Sequence, residues 1–363
     1  MFMTDKKPGT YQGCMLGCAV GDAVGAPVEK QPAHVARAYV EAYVRPLEFD
    51  DAPPTFYGER PFGHYTDDTQ FMYQLALSLV STGAHFDVQD YADRLLDLYR
   101  RDQLSGMGGT THTALGRLSA GSSWRDSGDL YSAGNGACTR ATWMGLVYGS
   151  SEEVAAASKL QSVITHASHV SQICSVVVGL ASFYASRVLL DVDMSAYQFM
   201  QRLSVHIEDE DEEMAAHLRK VAGYLRKDVR EMLDSDHRCM QYLLEEVQSD
   251  TEGWPGISPY CVSSTLWALY AFLKTPYNFW ATIQCALLPG GDVDSIAALA
   301  GALSGIHNGS AQMPLKVLEL LTDEQGIGSE ELLACAYELE AVSQDKLEAQ
   351  AFRQISEAHE VLS

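Results

Sequence analysis

The sequence predicts an all-α fold, and three observations carry that reading. Apolar residues recur three and four apart over most of the chain, as in Leu75, Leu79 and Val80 or Leu332, Leu333, Ala336 and Leu339. Strand-like alternation is scarce. Short breaks rich in glycine and proline separate the periodic stretches, with no fixed repeat or low-complexity tract. The predicted helices span 10–26, 67–82, 87–101, 110–119, 135–149, 151–165, 170–190, 194–206, 211–223, 237–248, 260–273, 277–288, 293–308 and 328–361. They are read as one multi-helix domain over residues 1–363, in which the charged, motif-poor stretch 191–255 is a candidate helical subdomain or insertion.

Composition narrows the class of protein. A hydrophobic fraction of 47% in 363 residues is enough for a sizeable core. Eight cysteines occur without a Cys-x-x-Cys pair, and Cys14 and Cys18 share one helix face. Buried free thiols and a reducing, cytoplasmic setting are expected. The start, Met1 to Tyr11, is polar and unlike a secretory signal. The apolar run Cys174 to Leu190 contains Ser182, Ser186 and Arg187 and falls short of the roughly 20 apolar residues of a membrane span, so it reads as a core helix. The net charge of −23, from 48 acidic and 25 basic residues, argues against nucleic acid and anionic membranes as partners. Most of that charge is solvated helix surface, as in the run Glu208 to Glu213.

Taken in order, the helix starts and ends carry the chemistry. Helix 10–26 has Gly17, Gly21 and Gly25 every fourth residue, which permits close packing, and it exits toward Glu29. Glu29 is a surface glutamate in the bland case and a carboxylate handling a proton on attacking water in the sharp one. A stiff segment, Asp50 to Pro61, leads to His64–Thr69. There Thr66 is placed at a helix N-cap, with Asp67 and Asp68 in the first turn, which plain capping and the helix dipole would also favour. The loop Gly106, Met107, Gly108, Gly109 precedes helix 110–119, and Ser132, Gly134, Asn135 and Gly136 precede helix 135–149. Both loops can offer backbone N–H groups to an anion, and Arg140 adds a cation able to meet phosphate. Neither has the Walker or Rossmann spacing. His166 lies between two helices, where a histidine is more often structural than catalytic. Helix 293–308 opens on Gly290, Gly291, Asp292, Asp294 and Ser295.

Two helix starts with two carboxylates and a hydroxyl each form an oxygen-rich cage if they meet. Such donors suit magnesium or manganese better than zinc or copper. No Gly-x-Ser-x-Gly elbow or other convincing nucleophile appears.

These motifs, in this order, resemble the ADP-ribosylglycohydrolase family, including its dinitrogenase reductase-activating members. The matching segments are Gly13 to Glu29, Tyr65 to Thr69, Gly106 to Leu118, Ser132 to Arg140, Thr165 to His166 and Gly290 to Gly309. The resemblance implies an all-α fold around a central cleft with two magnesium ions, for which manganese can substitute. It implies that Thr66, Asp67, Asp68 and Asp294 hold one ion, and that Asp292, Asp294 and Ser295 hold the other. Glu29, Asp67, Asp292 and Asp294 become the catalytic set. The loop of Ser132, Gly134, Asn135 and Gly136 becomes the contact to phosphate and ribose, with His166 and Gly106–Gly109 lining the rest of the ADP-ribose cleft. The implied activity is hydrolysis of the glycosidic bond between ADP-ribose and a protein side chain or small acceptor.

Departures concern specificity more than chemistry. Val293 stands where threonine is usual, Thr139 where methionine is common, and Gly106 where nitrogenase-type relatives often have aspartate. His112 and Thr113 stand where an arginine is frequent. ADP-ribosyl-arginine, ADP-ribosyl-serine, a modified nucleobase and O-acetyl-ADP-ribose all stay open as substrates. Two rivals remain. A terpenoid-synthase-like enzyme would want a further acid one turn beyond Asp67 and Asp68, where Thr69 and Gln70 stand. A silent ADP-ribose-binding or toxin-blocking protein would not need the intact acids.

Overall fold

The computed structural model describes residues 6–56, 58–226, 235–248 and 253–362, with 351–362 as backbone only. Seventeen α-helices lie among the described residues, together with one pair of two-residue strands. The centre is α1 (Thr10–Gly25), buried along its whole length and crossed by α15 (Val293–Asn308). Small residues set their spacing. A Cβ on Gly21 would stand 1.9 Å from the Ala297 carbonyl oxygen, and one on Gly25 would stand 2.5 Å from the Asp294 Cα. The four-residue glycine spacing therefore serves a helix contact, as expected, and its partner is the helix that opens on Asp292 and Asp294.

The next helices follow the chain. They are α2 (Ala33–Tyr39), α3 (Asp67–Ser81), α4 (Val88–Arg100), α5 (Gly109–Ser119), α6 (Trp124–Ser127), α7 (Thr142–Val147), α8 (Ser151–Val163) and α9 (His169–Ala185). Helix α4 shows why the periodicity was legible: Tyr91, Ala92, Leu95 and Leu98 are buried on one stripe, and the Asp87 carboxylate accepts from the N–H groups of Gln89 and Asp90. Helix α8 starts with a Ser150–Glu153 capping box. Helix α9 is buried over nearly all its faces, as expected of a core helix.

Beyond these lie α10 (Ala196–Ile207), α11 (Glu212–Tyr224) and α12 (Ser235–Tyr242). They cover most of the stretch 191–255; its residues 227–234 and 249–252 lie outside the described residues. Helix α10 packs on α9, and α11 packs on α13 (Cys261–Lys274). The chain then makes α14 (Phe279–Leu287), α15, α16 (Leu315–Leu318) and α17 (Ser329–Leu362). Helices α1, α3 and α17 pack on one another, while α13 and α14 support α15 from the other side.

Two local expectations are corrected. The helix expected at 135–149 is a turn through Cys138, a 3-10 turn at Thr139–Ala141 and then only α7. The Asn135 amide donates to Asp292 and the preceding Gly134 bridges to Tyr260, so the turn is held to the acidic cluster and to the segment before α13. Helix α2, with its π-helical continuation Val40–Val44, was not expected, although Ala36, Tyr39, Val40 and Val44 are spaced for one buried face.

The strands β1 (Gln31–Pro32) and β2 (Gly290–Gly291) pair antiparallel, Gln31 opposite Gly291 and Pro32 opposite Gly290. This short ladder ties the exit of α1 to the entrance of α15. Both glycines have positive φ (66° and 85°), and a Cβ on Gly291 would sit 2.1 Å from the Ile257 carbonyl oxygen. Only glycine meets both requirements.

Candidate active site

The starts of α3 and α15 meet. The Ser295 hydroxyl donates to Asp68 (2.8 Å) and more weakly to Asp292 (3.4 Å), so one side chain spans the two acidic motifs. Carboxylate oxygens of Glu29, Asp292 and Asp294 all lie within 4.8 Å of one another, and all three residues are buried. Glu29 is brought there by the ladder, which continues with the Lys30 N–H donating to the Gly291 carbonyl at 2.8 Å.

Plain capping fails at both helix starts. Thr66 and Asp292 occupy the N-cap positions, yet neither side chain caps its helix. At α3 the work is done by Asp22, fully buried on α1. Its carboxylate accepts from the Thr66 N–H (2.9 Å), the Thr69 N–H (3.0 Å) and the Thr69 hydroxyl (2.6 Å). The Thr66 hydroxyl is thereby released, and it lies buried without a hydrogen-bond partner, as does one oxygen of Asp294. A buried polar atom left unmatched costs about 1–3 kcal/mol, so such atoms mark a place where something else binds.

Electrostatics point the same way. Burial raises the carboxyls of Asp67, Asp68, Asp292 and Asp294, Asp292 to about 7, and mutual repulsion among the acids raises Asp67, Asp292 and Asp294 further. Hydrogen bonds from Asn135 and Ser295 pull Asp292 back, and those from Ser295 and Thr139 pull Asp68 back. A cation among these oxygens would satisfy the orphaned atoms and remove the repulsion. The donors are all hard oxygens, which fits a magnesium-like ion.

These groups line a cleft of about 910 Å³, within the range of small-molecule sites. Glu29, Asp67, Asp68, Asp292, Asp294 and Ser295 face it, and Thr66 lies just behind Asp67 without lining it. All of Gly106, Met107, Gly108, Gly109, Ser132, Gly134, Asn135, Gly136 and His166 line it too. Gly108 is the N-cap of α5, so that helix opens its unpaired N–H groups toward the cleft. The Ser132 hydroxyl is hydrogen-bonded to the Thr110 hydroxyl at 2.7 Å, joining the two glycine loops. Asn135 donates to Asp292 at 2.5 Å and so fastens the second loop to the acidic cluster.

His166 is 3% exposed, and its Nδ1 shares a hydrogen bond with the Thr165 hydroxyl at 2.9 Å. Burial, reinforced by Arg140, lowers its pKa to about 3, so it is a neutral ring at ordinary pH. Arg140 itself overturns an expectation. It is 1% exposed, does not line the cleft and donates to Gln161 and Thr165. The position expected to meet phosphate instead sits behind the cleft wall.

Sequence reasoning missed Asp22, Lys30, Trp254 and Tyr260. Asp22 lies between Gly21 and Gly25 on α1, and nothing local shows that the N–H groups it accepts from belong to another helix. Lys30, Trp254 and Tyr260 line the cleft from segments without a motif. Tyr260 is placed by the antiparallel bridge between its backbone and Gly134.

A family model described as ADP-ribosylglycohydrolase matches residues 3–350. An ADP-ribosylhydrolase ARH3 of Mus musculus is 28% identical over 333 residues, covering 84% of this chain and 85% of that protein. An uncharacterized protein of Archaeoglobus fulgidus is 30% identical over 297 residues, covering 80% and 86% respectively. A solved structure described as an ADP-ribosylglycohydrolase-related protein complex shares the fold, with a TM-score of 0.64 at 24% identity over 92% of this chain and 98% of that one.

Proposed function

Because the chain belongs to the ADP-ribosylglycohydrolase family, we propose that it hydrolyses the glycosidic bond between ADP-ribose and a modified protein side chain or small acceptor, releasing ADP-ribose. The observation that carries this reading is the meeting beside Glu29, in one cleft, of two acidic helix starts that their own N-cap side chains leave uncapped. Thr66, Asp67, Asp68 and Asp294 would hold one magnesium ion, and Asp292, Asp294 and Ser295 the other; manganese is the natural substitute. When bound, the ions supply Lewis-acid polarisation of water and of the ribose hydroxyls.

The chain's own residues do the rest. The N–H groups opening α5 and the loop from Ser132 to Gly136 bind the diphosphate and ribose, which lets so acidic a protein hold an anion. Neutral His166 fixes the ligand from the cleft wall without adding charge. Water oxygen bonds to the anomeric carbon, and the electrons of the breaking bond go to the acceptor atom. Glu29 takes the proton of that water and is placed to return it to the departing atom. Carboxylates at the cluster also favour the positive charge that builds on the sugar.

The reading takes residues 1–363 as one domain, supported by a buried core that includes Phe199, Leu203, Leu218 and Leu243 from the 191–255 stretch. It expects a cytoplasmic enzyme, in keeping with eight buried free thiols. Among the described residues no helix is long and apolar enough to cross a membrane.

The test is release of free ADP-ribose from arginine-, serine-, nucleobase- and acetyl-linked substrates, with magnesium and with chelator. Release that needs the metal and falls at least about a thousandfold in Asp294→Ala is the expected result. Tight ADP-ribose binding without release from any substrate would replace the hydrolase with a silent ADP-ribose-binding protein.

A further inference from the structure

Lys30 is the cation placed at the cleft without a role in the proposed reaction. It follows Glu29 directly in the chain, lines the same cleft, and has a left-handed backbone (φ 56°). For a residue with a side chain that conformation is strained, and it persists where the surroundings enforce it. Here they do: the β1–β2 ladder pins its N–H to Gly291, and its ammonium lies 5.0 Å from the centre of the Phe56 ring and 5.4 Å from that of Trp254. Phe56 is itself anchored by its N–H on the Ala26 carbonyl. The turn sends Glu29 toward the acidic cluster and Lys30 to an aromatic cradle.

The position of this charge bears on the leaving group. The N–H groups suited to a diphosphate belong to Gly106–Gly109 and Ser132–Gly136. Lys30 belongs to the segment that carries Glu29, the carboxylate that handles the proton at the scissile bond in the reaction proposed above. We propose that Lys30, held against Phe56 and Trp254, determines acceptor specificity by disfavouring a cationic leaving group such as a guanidinium and favouring an uncharged, oxygen-linked one. This inference rests on the hydrolase reading above. A fixed ammonium near a guanidinium in a partly solvated cleft repels it by enough to change a rate roughly threefold. An alcohol oxygen meets no such penalty. The cradle keeps the charge in place, since cation–π contact holds the ammonium against the rings.

The experiment compares kcat/KM for an ADP-ribosyl-serine peptide and an ADP-ribosyl-arginine peptide of the same sequence, with magnesium, for the unsubstituted protein, Lys30→Gln and Lys30→Glu. Both replacements keep an unbranched side chain at the same φ, so backbone strain is matched. Inhibition by free ADP-ribose, which lacks an acceptor, is measured in parallel. The expected result is preference for serine in the unsubstituted protein, with the arginine-to-serine ratio rising roughly threefold in the first variant and roughly tenfold in the second. ADP-ribose inhibition should stay within about twofold throughout. A ratio that does not move overturns the proposal, as does an unsubstituted protein that prefers arginine. Equal losses on both substrates together with weaker ADP-ribose inhibition would make Lys30 a diphosphate contact and also overturn it. Release from neither peptide nor any other substrate by the unsubstituted protein would remove the hydrolase reading itself, an outcome distinct from all of these.

Discussion

Asp22 turns an ordinary helix cap into a site. By taking the N–H groups of Thr66 and Thr69, its carboxylate leaves the Thr66 hydroxyl buried and uncommitted. Replacement by alanine would let Thr66 fold back onto its own helix, as threonine does at N-caps generally. Asp22→Ala should therefore weaken magnesium or manganese binding about 10- to 100-fold, as loss of a residue that orients metal ligands does. It should lower stability by only about 1–3 kcal/mol. Calorimetric titration with manganese and a urea melt check the two numbers separately. Unchanged manganese affinity would mean that Thr66 is not a ligand. Among single residues, those lying in compact motifs come together: Asp67, Asp68, Asp292, Asp294 and Ser295 line the cleft, with Thr66 beside them but outside its lining. The places of Asp22 and Arg140 were not legible in the sequence, because burial and partner are properties of the packed chain. An arginine four residues after a cleft-lining glycine loop looks the same in sequence whether it faces ligand or, as here, Gln161.

At the scale of the element, the crossing of α1 and α15 fixes where the acids stand. Gly21→Ala would drive a methyl group into the Ala297 carbonyl at a nominal 1.9 Å, with backbone on both sides and nothing flexible to yield. A loss of about 2–4 kcal/mol is expected, read as a lower midpoint in urea with an unchanged slope. Gly25→Ala presses instead on Asp294, so it should weaken metal binding more than it weakens the fold; thermal melts with and without magnesium separate these effects. Most helices were legible because their apolar stripes obey a local rule. The exceptions have a common cause. Residues 135–138 carry helix-compatible side chains, but the Asn135 amide is engaged with Asp292 and the preceding Gly134 backbone with Tyr260, more than a hundred residues away. The β1–β2 ladder was equally invisible, since two residues cannot show an alternation.

For the whole molecule, buried titratable groups set the pH range of stability. Burial raises seven of the eight cysteines, Cys14 and Cys335 to about 12 and the others also upward. The folded chain therefore keeps thiol protons that the unfolded chain loses from about pH 9, and each such group lowers stability as pH rises. Three lysines act in the opposite sense. Burial lowers Lys6 to about 7 and Lys7 and Lys346 to about 8, so in that window the unfolded chain holds protons that the folded chain lacks. Stability should fall above pH 9, where seven thiols outweigh three amines, by about a few kcal/mol per pH unit. Urea melts at pH 8, 9 and 10 under reducing conditions check this; a midpoint still rising at pH 10 would contradict it. The all-α architecture was legible at this scale, whereas the balance of buried charge was not.

The crossing of α1 with α15 also has a consequence in time. Asp22, Glu29 and the acids of α3 emerge early from a ribosome, while Asp292, Asp294 and Ser295 follow more than 200 residues later. At about 5–20 residues per second, the first helix waits many seconds for the surface that covers it. Through that interval a nascent chain exposes the glycine-lined stripe of α1 and its apolar neighbours and holds half of the acidic cluster. Folding to activity is thus decided near the end of synthesis, and any chaperone that serves this protein would meet it with its N-terminal third made and its partner helix still unborn.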